Sequence, residues 1–159
     1  CGYYPDRKKC TCSQGQIKNY LGRISKPLLD RIDIFTETII LKYGEISNSD
    51  KGENSYDVRK RIEKVHHIQK ERYKNDGILF NSELSAGMIK RYCVMDNEAK
   101  EYLENIFENM EFSARAYHKV LKTARTIADM DESGEIKRKH ISEAVCYRTA
   151  DKKYWGVTM

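Results

Sequence analysis

Hydrophobic positions over the carboxy-terminal two thirds of the chain recur at helical intervals. Ala99, Tyr102, Leu103, Ile106, Phe107 and Met110 fall at i, i+3, i+4, i+7 spacing, as do Tyr117, Val120, Leu121, Ala124, Ile127 and Ala128. That period marks one buried face of an amphipathic helix. Asp96 and Ser113 stand where caps for these helices belong, their side-chain oxygens suited to unpaired N–H groups of a first turn. Ser55 is read as the cap of an earlier helix running to about Lys74, with Val58, Ile62 and Val65 on one face. A short helix is expected around Ser85 to Tyr92, and a last one from about His140 to Arg148 carrying Ile141, Ala144 and Val145. Together these predict an antiparallel bundle of four or five helices with short connections. No internal repeat interrupts the pattern.

The amino-terminal third has a different texture. Cys1 to about Ser13 is a loop rich in Cys, Gly, Pro and Tyr; a helix is expected over Gln16 to Arg23 and a short Pro-initiated one over Pro27 to Arg31. The β-branched run from Ile32 to Ile40 predicts a strand. A lone strand cannot pair its edges, so it is expected to belong to a sheet whose other members lie outside this chain. Residues 43–54, polar and without apolar period, read as a flexible linker. The fold class expected is therefore mainly α, a helical bundle preceded by a helix, a short helix and a strand.

Charge and composition narrow the partners. The formal net charge of +5 comes from 29 basic and 24 acidic side chains with both signs interleaved, which permits a polyanionic partner without requiring one. No run of about 18 apolar residues exists to span a membrane. The chain opens on Cys1-Gly2-Tyr3-Tyr4 without a charged-then-apolar leader, and is expected to be a piece of a longer protein. Five cysteines without such a leader point to a reducing, cytoplasmic setting.

Several patterns imitate known chemistry and fall short of it. Asp129 to Gly134 begins like a calcium loop, but the twelfth position, which should bring a bidentate Glu, is His140. His66 and His67 are adjacent and so point about 100° apart on a helix, which keeps them from one metal. A phosphate-gripping loop requires Lys directly after a Gly, and none of the nine glycines is so followed. This stretch alone is not expected to hydrolyse ATP.

Cys1-Gly2-Tyr3-Tyr4-Pro5-Asp6, Cys10-Thr11-Cys12, Tyr20-Leu21-Gly22-Arg23-Ile24-Ser25 and Pro27-Leu28-Leu29-Asp30-Arg31-Ile32-Asp33 form one continuous signature. Asn81-Ser82-Glu83-Leu84-Ser85, the run from Ser113 to Asp129, and His140, Ile141, Glu143-Ala144 and Tyr147-Arg148 extend it. In this combination the chain resembles the bacterial magnesium-chelatase-like AAA+ ATPases of the ComM/YifB group. The resemblance implies that residues 1–42 end an α/β AAA+ core, that 55–150 form the helical lid, and that 151–159 are a tail. It further implies a parent using ATP and Mg²⁺, assembled with copies of itself in a hexameric ring, and acting on DNA as a helicase-like or branch-migration motor.

Arg31 occupies the family's arginine-finger position, where a planar, permanently charged guanidinium neutralises charge on a γ-phosphoryl group held by a neighbouring subunit. Arg115 matches the sensor-2 arginine, in the first turn of a helix whose amino terminus already attracts anions. Lys119 and Lys122 share its face as candidate phosphate or DNA contacts. Residue chemistry alone leaves alternatives open: Arg31 as a surface ion pair with Asp30 or Asp33, and the Arg115 face as a solvated one. Where the family has Ser-Gly-Pro, this chain has Ser25-Lys26-Pro27, which raises the question of the backbone at Lys26.

Cys1, Cys10 and Cys12 are candidate ligands for zinc, set against reduced loop cysteines without function. Cys93 and Cys146 read as core thiols. Two rival functions stand beside the motor: a helical module binding DNA or protein through Arg59, Lys60, Arg61 and Lys64, and an ATPase subunit of a metal chelatase.

Overall fold

A computed structural model describes residues 1–6, 8–38, 41, 43–44, 52–110 and 112–155. The chain divides into two compact units, Cys1–Thr36 with Cys146–Met159, and Glu37–Val145. Apart from one isolated bridge, the regular structure among the described residues is helical, in agreement with the mainly α class.

In the first unit, helix α1 (Gln14–Leu21) starts earlier than its apolar pattern alone implies, because Ser13 and Gln16 form a capping box. Gln16 N–H donates to Ser13 Oγ at 3.3 Å and Ser13 N–H to Gln16 Oε1 at 2.9 Å, pairing two otherwise orphaned donors. Ile17 is its buried residue. Helix α2 (Lys26–Leu29) follows an extended Ser25 and carries Pro27 in its first turn, with Leu29 buried. Lys26 is the first helical residue and does not have a positive φ, so the Gly-to-Lys departure costs no left-handed backbone here.

The strand expected over Ile32–Ile40 does not form among the described residues: 32–38 have no ladder partner, while Ile39 and Ile40 lie outside them. The backbone is satisfied otherwise. Phe35 N–H donates to Tyr147 O at 2.9 Å, and Arg148 donates to Ile32 O while its guanidinium lies 5.2 Å from the Phe35 ring centroid. Without a second strand to pair with, a β-prone run settles for such single contacts.

The second unit is helical: α3 (Ser55–Tyr73), a 3₁₀ turn (Asn81–Glu83), α4 (Ala86–Tyr92), α5 (Asn97–Met110), α6 (Ala114–Met130) and the opening turns of α7 (Arg138–Trp155). Helix α6 is the centre, packing on α3, the 3₁₀ turn and α4. Its stripe Val120, Leu121, Ala124 and Ala128 is buried together with Leu103 of α5 and Ile141, Ala144 and Val145 of α7. The parallel bridge between Met95 and Ile136 ties the segment after α4 to the one before α7: Ile136 N–H donates to Val94 O at 2.8 Å and Asp96 N–H to Ile136 O at 3.2 Å.

Caps at Asp96 and Ser113 stand where the sequence puts them, Asp96 Oδ1 accepting Ala99 N–H at 2.8 Å and the Ser113 hydroxyl accepting Ala116 N–H, and Ser85 caps α4 in the same way. At α3 the cap is Asn54 rather than Ser55, its Oδ1 accepting from Tyr56 and Asp57 N–H at 3.0 Å each. Helix α7 extends well past Arg148. Cys93 is buried, but Cys146 is exposed, because the buried face of α7 runs through Ile141, Ala144, Val145 and Arg148 and leaves position 146 off it. Residues 45–51 of the expected linker and 156–159 of the tail lie outside the described residues. No described helix is long and apolar enough to cross a membrane.

Candidate functional site

Arg31 follows Asp30, the cap that ends α2. Ser25, Pro27 and buried Leu29 fix that short helix, and the turn closes with Arg31 N–H donating to Leu28 O at 2.9 Å. The side chain is exposed, and its Nη1 donates to Pro27 O at 2.9 Å.

Arg115 lies in the first turn of α6, two residues beyond the Ser113 cap; it is exposed and has no hydrogen-bond or ion-pair partner among the described residues. Lys119, on the same helix, is half-buried. Lys122 is committed elsewhere, its Nζ donating to Ser82 O at 2.8 Å. The three positions stand at i, i+4 and i+7 on one helix and so share a face, on which Lys122 is engaged by the Ser82 carbonyl.

The basic run of α3 is exposed, and two of its four members are met by carboxylates. Arg61 makes two bonds to the Glu53 carboxylate, at 2.8 and 3.0 Å, and Lys64 pairs with Glu132. Lys60 lies 4.4 Å from the Tyr56 ring centroid, and Arg59 is exposed.

Cys1, Cys10 and Cys12 converge. Their Sγ atoms all lie within 4.8 Å of one another, with Cys1 to Cys10 at 3.6 Å and Cys1 to Cys12 at 3.3 Å. Among the described residues this is the one set of three or more Cys, His, Asp or Glu side chains placed to share a metal ion.

The acids of the calcium-like stretch are engaged otherwise. Asp131 accepts from Lys139 and from His140 Nε2 at 3.1 Å. His140 Nδ1 accepts Lys137 N–H at 3.0 Å, so the proton of the neutral ring sits on Nε2, facing Asp131. The Lys139 hydrogen bond, with that of His140, holds the Asp131 carboxyl below its ordinary range.

Asp129 anchors a buried network that apolar patterning did not reveal. Its carboxylate, with no exposed surface, accepts a bidentate pair from Arg72, Arg125 Nε at 3.1 Å and Asn81 Nδ2 at 2.9 Å. Arg125 is 1% exposed and also donates to Gly134 O at 2.8 Å and Ser133 O at 2.5 Å. Tyr73 Oη donates to Asn81 Oδ1 at 2.5 Å, and Asn81 N–H donates to Gln69 Oε1 at 3.1 Å. The two arginines respond differently. Burial opposes the charge on Arg72, yet the hydrogen bond and charge of Asp129 outweigh it and raise its affinity for the proton. For Arg125 burial prevails and lowers it. A sequence signal existed: Arg125 and Asp129 stand i+4 and i+8 from Leu121, on the face of α6 that carries its apolar stripe.

Known proteins were compared with the chain. The family model for the carboxy-terminal part of magnesium chelatase subunit ChlI matches residues 52–148, and the model for magnesium chelatase subunit ChlI matches residues 1–46. The competence protein ComM of Haemophilus influenzae is 38% identical over 148 residues, covering 92% of this chain and 28% of that protein. The uncharacterised protein YifB of Salmonella typhimurium is 37% identical over 142 residues, covering 89% of this chain and 27% of that protein. The uncharacterised protein Rv2897c of Mycobacterium tuberculosis is 29% identical over 125 residues, 79% of this chain and 25% of that protein. The chain thus spans about a quarter of the length of these relatives.

Proposed function

The chain belongs to the magnesium-chelatase ChlI family of AAA+ ATPases, and from that premise we propose that it is the arginine-finger and lid portion of an ATP-driven, DNA-processing ring motor. In this reading ATP and Mg²⁺ are held by the phosphate loop of an adjacent subunit, and Arg31 reaches across to them. The observation that carries it is the placement of Arg31: exposed, immediately after a short helix pinned by buried Leu29, and resting on the Pro27 carbonyl rather than inside the core. A finger acts on the transition state, so its removal lowers turnover far more than nucleotide affinity; such fingers contribute about 10³–10⁵ in rate where they act. Arg31→Ala in the full-length parent is expected to abolish ATP hydrolysis while nucleotide binding persists. Unchanged hydrolysis would refute the assignment.

Arg115, exposed at the start of α6, is the residue that reads nucleotide state for the lid. A helix amino terminus and a guanidinium together favour a phosphate oxygen. The DNA contact belongs to the assembled ring in this account, since Arg61 and Lys64 are already met by Glu53 and Glu132. The competing module reading requires the isolated α3 face to bind DNA, with an affinity falling steeply as salt rises. A salt titration of this chain against single- and double-stranded DNA separates the two: weak binding with a shallow slope fits the lid, and strong binding with a steep slope fits the module.

A further inference from the structure

We propose that Cys1, Cys10 and Cys12 bind one zinc ion as three thiolates, making the loop a structural metal clip at the start of helix α1. The backbone already shapes this loop. Asp6 N–H donates to Tyr3 O at 2.8 Å; Asp6 O then accepts Cys10 N–H at 2.8 Å and Lys9 N–H at 3.2 Å, while its carboxylate accepts Lys8 N–H at 3.0 Å. Those bonds fold the eight-residue interval back so that Cys10 meets Cys1. Gly2 has φ of +81°, a left-handed conformation that a side chain would strain, and it turns Cys1 towards the same point.

The spacing suits a tetrahedral ion. Zinc–sulfur bonds of about 2.3 Å place tetrahedral sulfurs about 3.8 Å apart. Cys1 stands 3.6 Å from Cys10 and 3.3 Å from Cys12, within about half an ångström of that spacing, and all three sulfurs lie within 4.8 Å of one another. Thiolate ligands favour zinc over the hard cations Mg²⁺ and Ca²⁺. On binding, each thiol yields its proton to solvent and keeps its electron pair for the metal. Three thiolates on Zn²⁺ leave one negative charge, and a fourth position remains for water or another donor.

Cys12 immediately precedes Ser13, the cap of α1, so the ion would fix the point at which that helix begins. This is an assignment separate from the nucleotide chemistry above.

The test uses the full-length protein, purified under reducing conditions without a metal-affinity column. Elemental analysis is expected to find one zinc per chain. Replacing it with Co²⁺ should give thiolate-to-metal charge-transfer absorption and the intense visible bands of tetrahedral ligation. Cys10→Ser and Cys12→Ser should lose the metal, whereas Cys146→Ser, outside the loop, should keep it. If a serine variant fails to fold, the cobalt spectrum of the unaltered protein decides on its own. Wild-type protein that holds no zinc and gives no charge-transfer band with Co²⁺ overturns the proposal. So does a Cys10→Ser protein that retains its zinc, or a disulfide joining two of the three cysteines.

Discussion

Replacing Asp129 by alanine isolates the cost of the buried network in the helical unit. The substitution removes the carboxylate that accepts from Arg72, Arg125 and Asn81 in the core. Breaking one partner out of a buried pair costs about 3–5 kcal/mol, because the charge left behind stays desolvated. Arg125 pays most of that here: at 1% exposure it keeps the carbonyls of Ser133 and Gly134 but loses its counterion. Arg72, with 20% of its side chain exposed, recovers some hydration, which places the expected loss near the lower bound, about 3 kcal/mol. For a unit of this size, at roughly 4–8 °C per kcal/mol, the midpoint falls by about 12 °C or more. Asp129→Asn restores the volume without the charge and should lose at least half as much. Glu132→Ala, which breaks only the exposed pair with Lys64, should stay within about 1 kcal/mol of the parent. Urea unfolding followed by circular dichroism measures all three. An Asp129→Ala protein as stable as Glu132→Ala would refute the view that this carboxylate neutralises the buried arginines.

Two further outcomes follow from the same structure. Burial pushes the Cys93 thiol up to about 11, so native protein should protect Cys93 from iodoacetamide at pH 8 while exposed Cys146 reacts. Because the folded value lies above the unfolded one, near 8.5, the stability Cys93 contributes is whole below that unfolded value and is lost as pH rises towards 11; urea midpoints of Cys93→Ala should lack that alkaline decline. Arg115→Ala should leave the urea midpoint within about 0.5 kcal/mol of wild type, since the side chain is exposed and makes no contact that the fold needs. The same change should weaken nucleotide affinity in the full-length protein, read by fluorescent-nucleotide titration.

The helical unit was legible because its signal is periodic. The stripes of α5 and α6 and the caps at Asp96 and Ser113 are local features, and each appears where the sequence places it. No strand forms over 32–38, the described part of the β-branched run, because β-branched residues report only a preference, whereas a strand requires a partner. The early start of α1 was readable after all, in the Ser-x-x-Gln box of Ser13 and Gln16. Of the Asp129 network only the local Arg125 pair could be read, because Arg72 and Asn81 stand 57 and 48 positions away and only tertiary packing joins them. For the candidate site, sequence spacing marked the three cysteines as a group, and the folded loop brings their sulfurs together. Spacing also grouped Arg115 with Lys122 on one helix face, and only the folded chain shows that Lys122 also donates to the Ser82 carbonyl.

The most direct test of the finger is complementation between two defective full-length proteins. One carries Arg31→Ala; the other keeps Arg31 but has the lysine of its phosphate loop replaced. Each alone should be inactive. Mixed rings should regain ATP hydrolysis, because some interfaces then pair an intact phosphate loop with a neighbour's intact Arg31. Mixed assemblies, verified by mass, that remain as inactive as either parent would contradict an arginine acting on the neighbouring subunit's nucleotide.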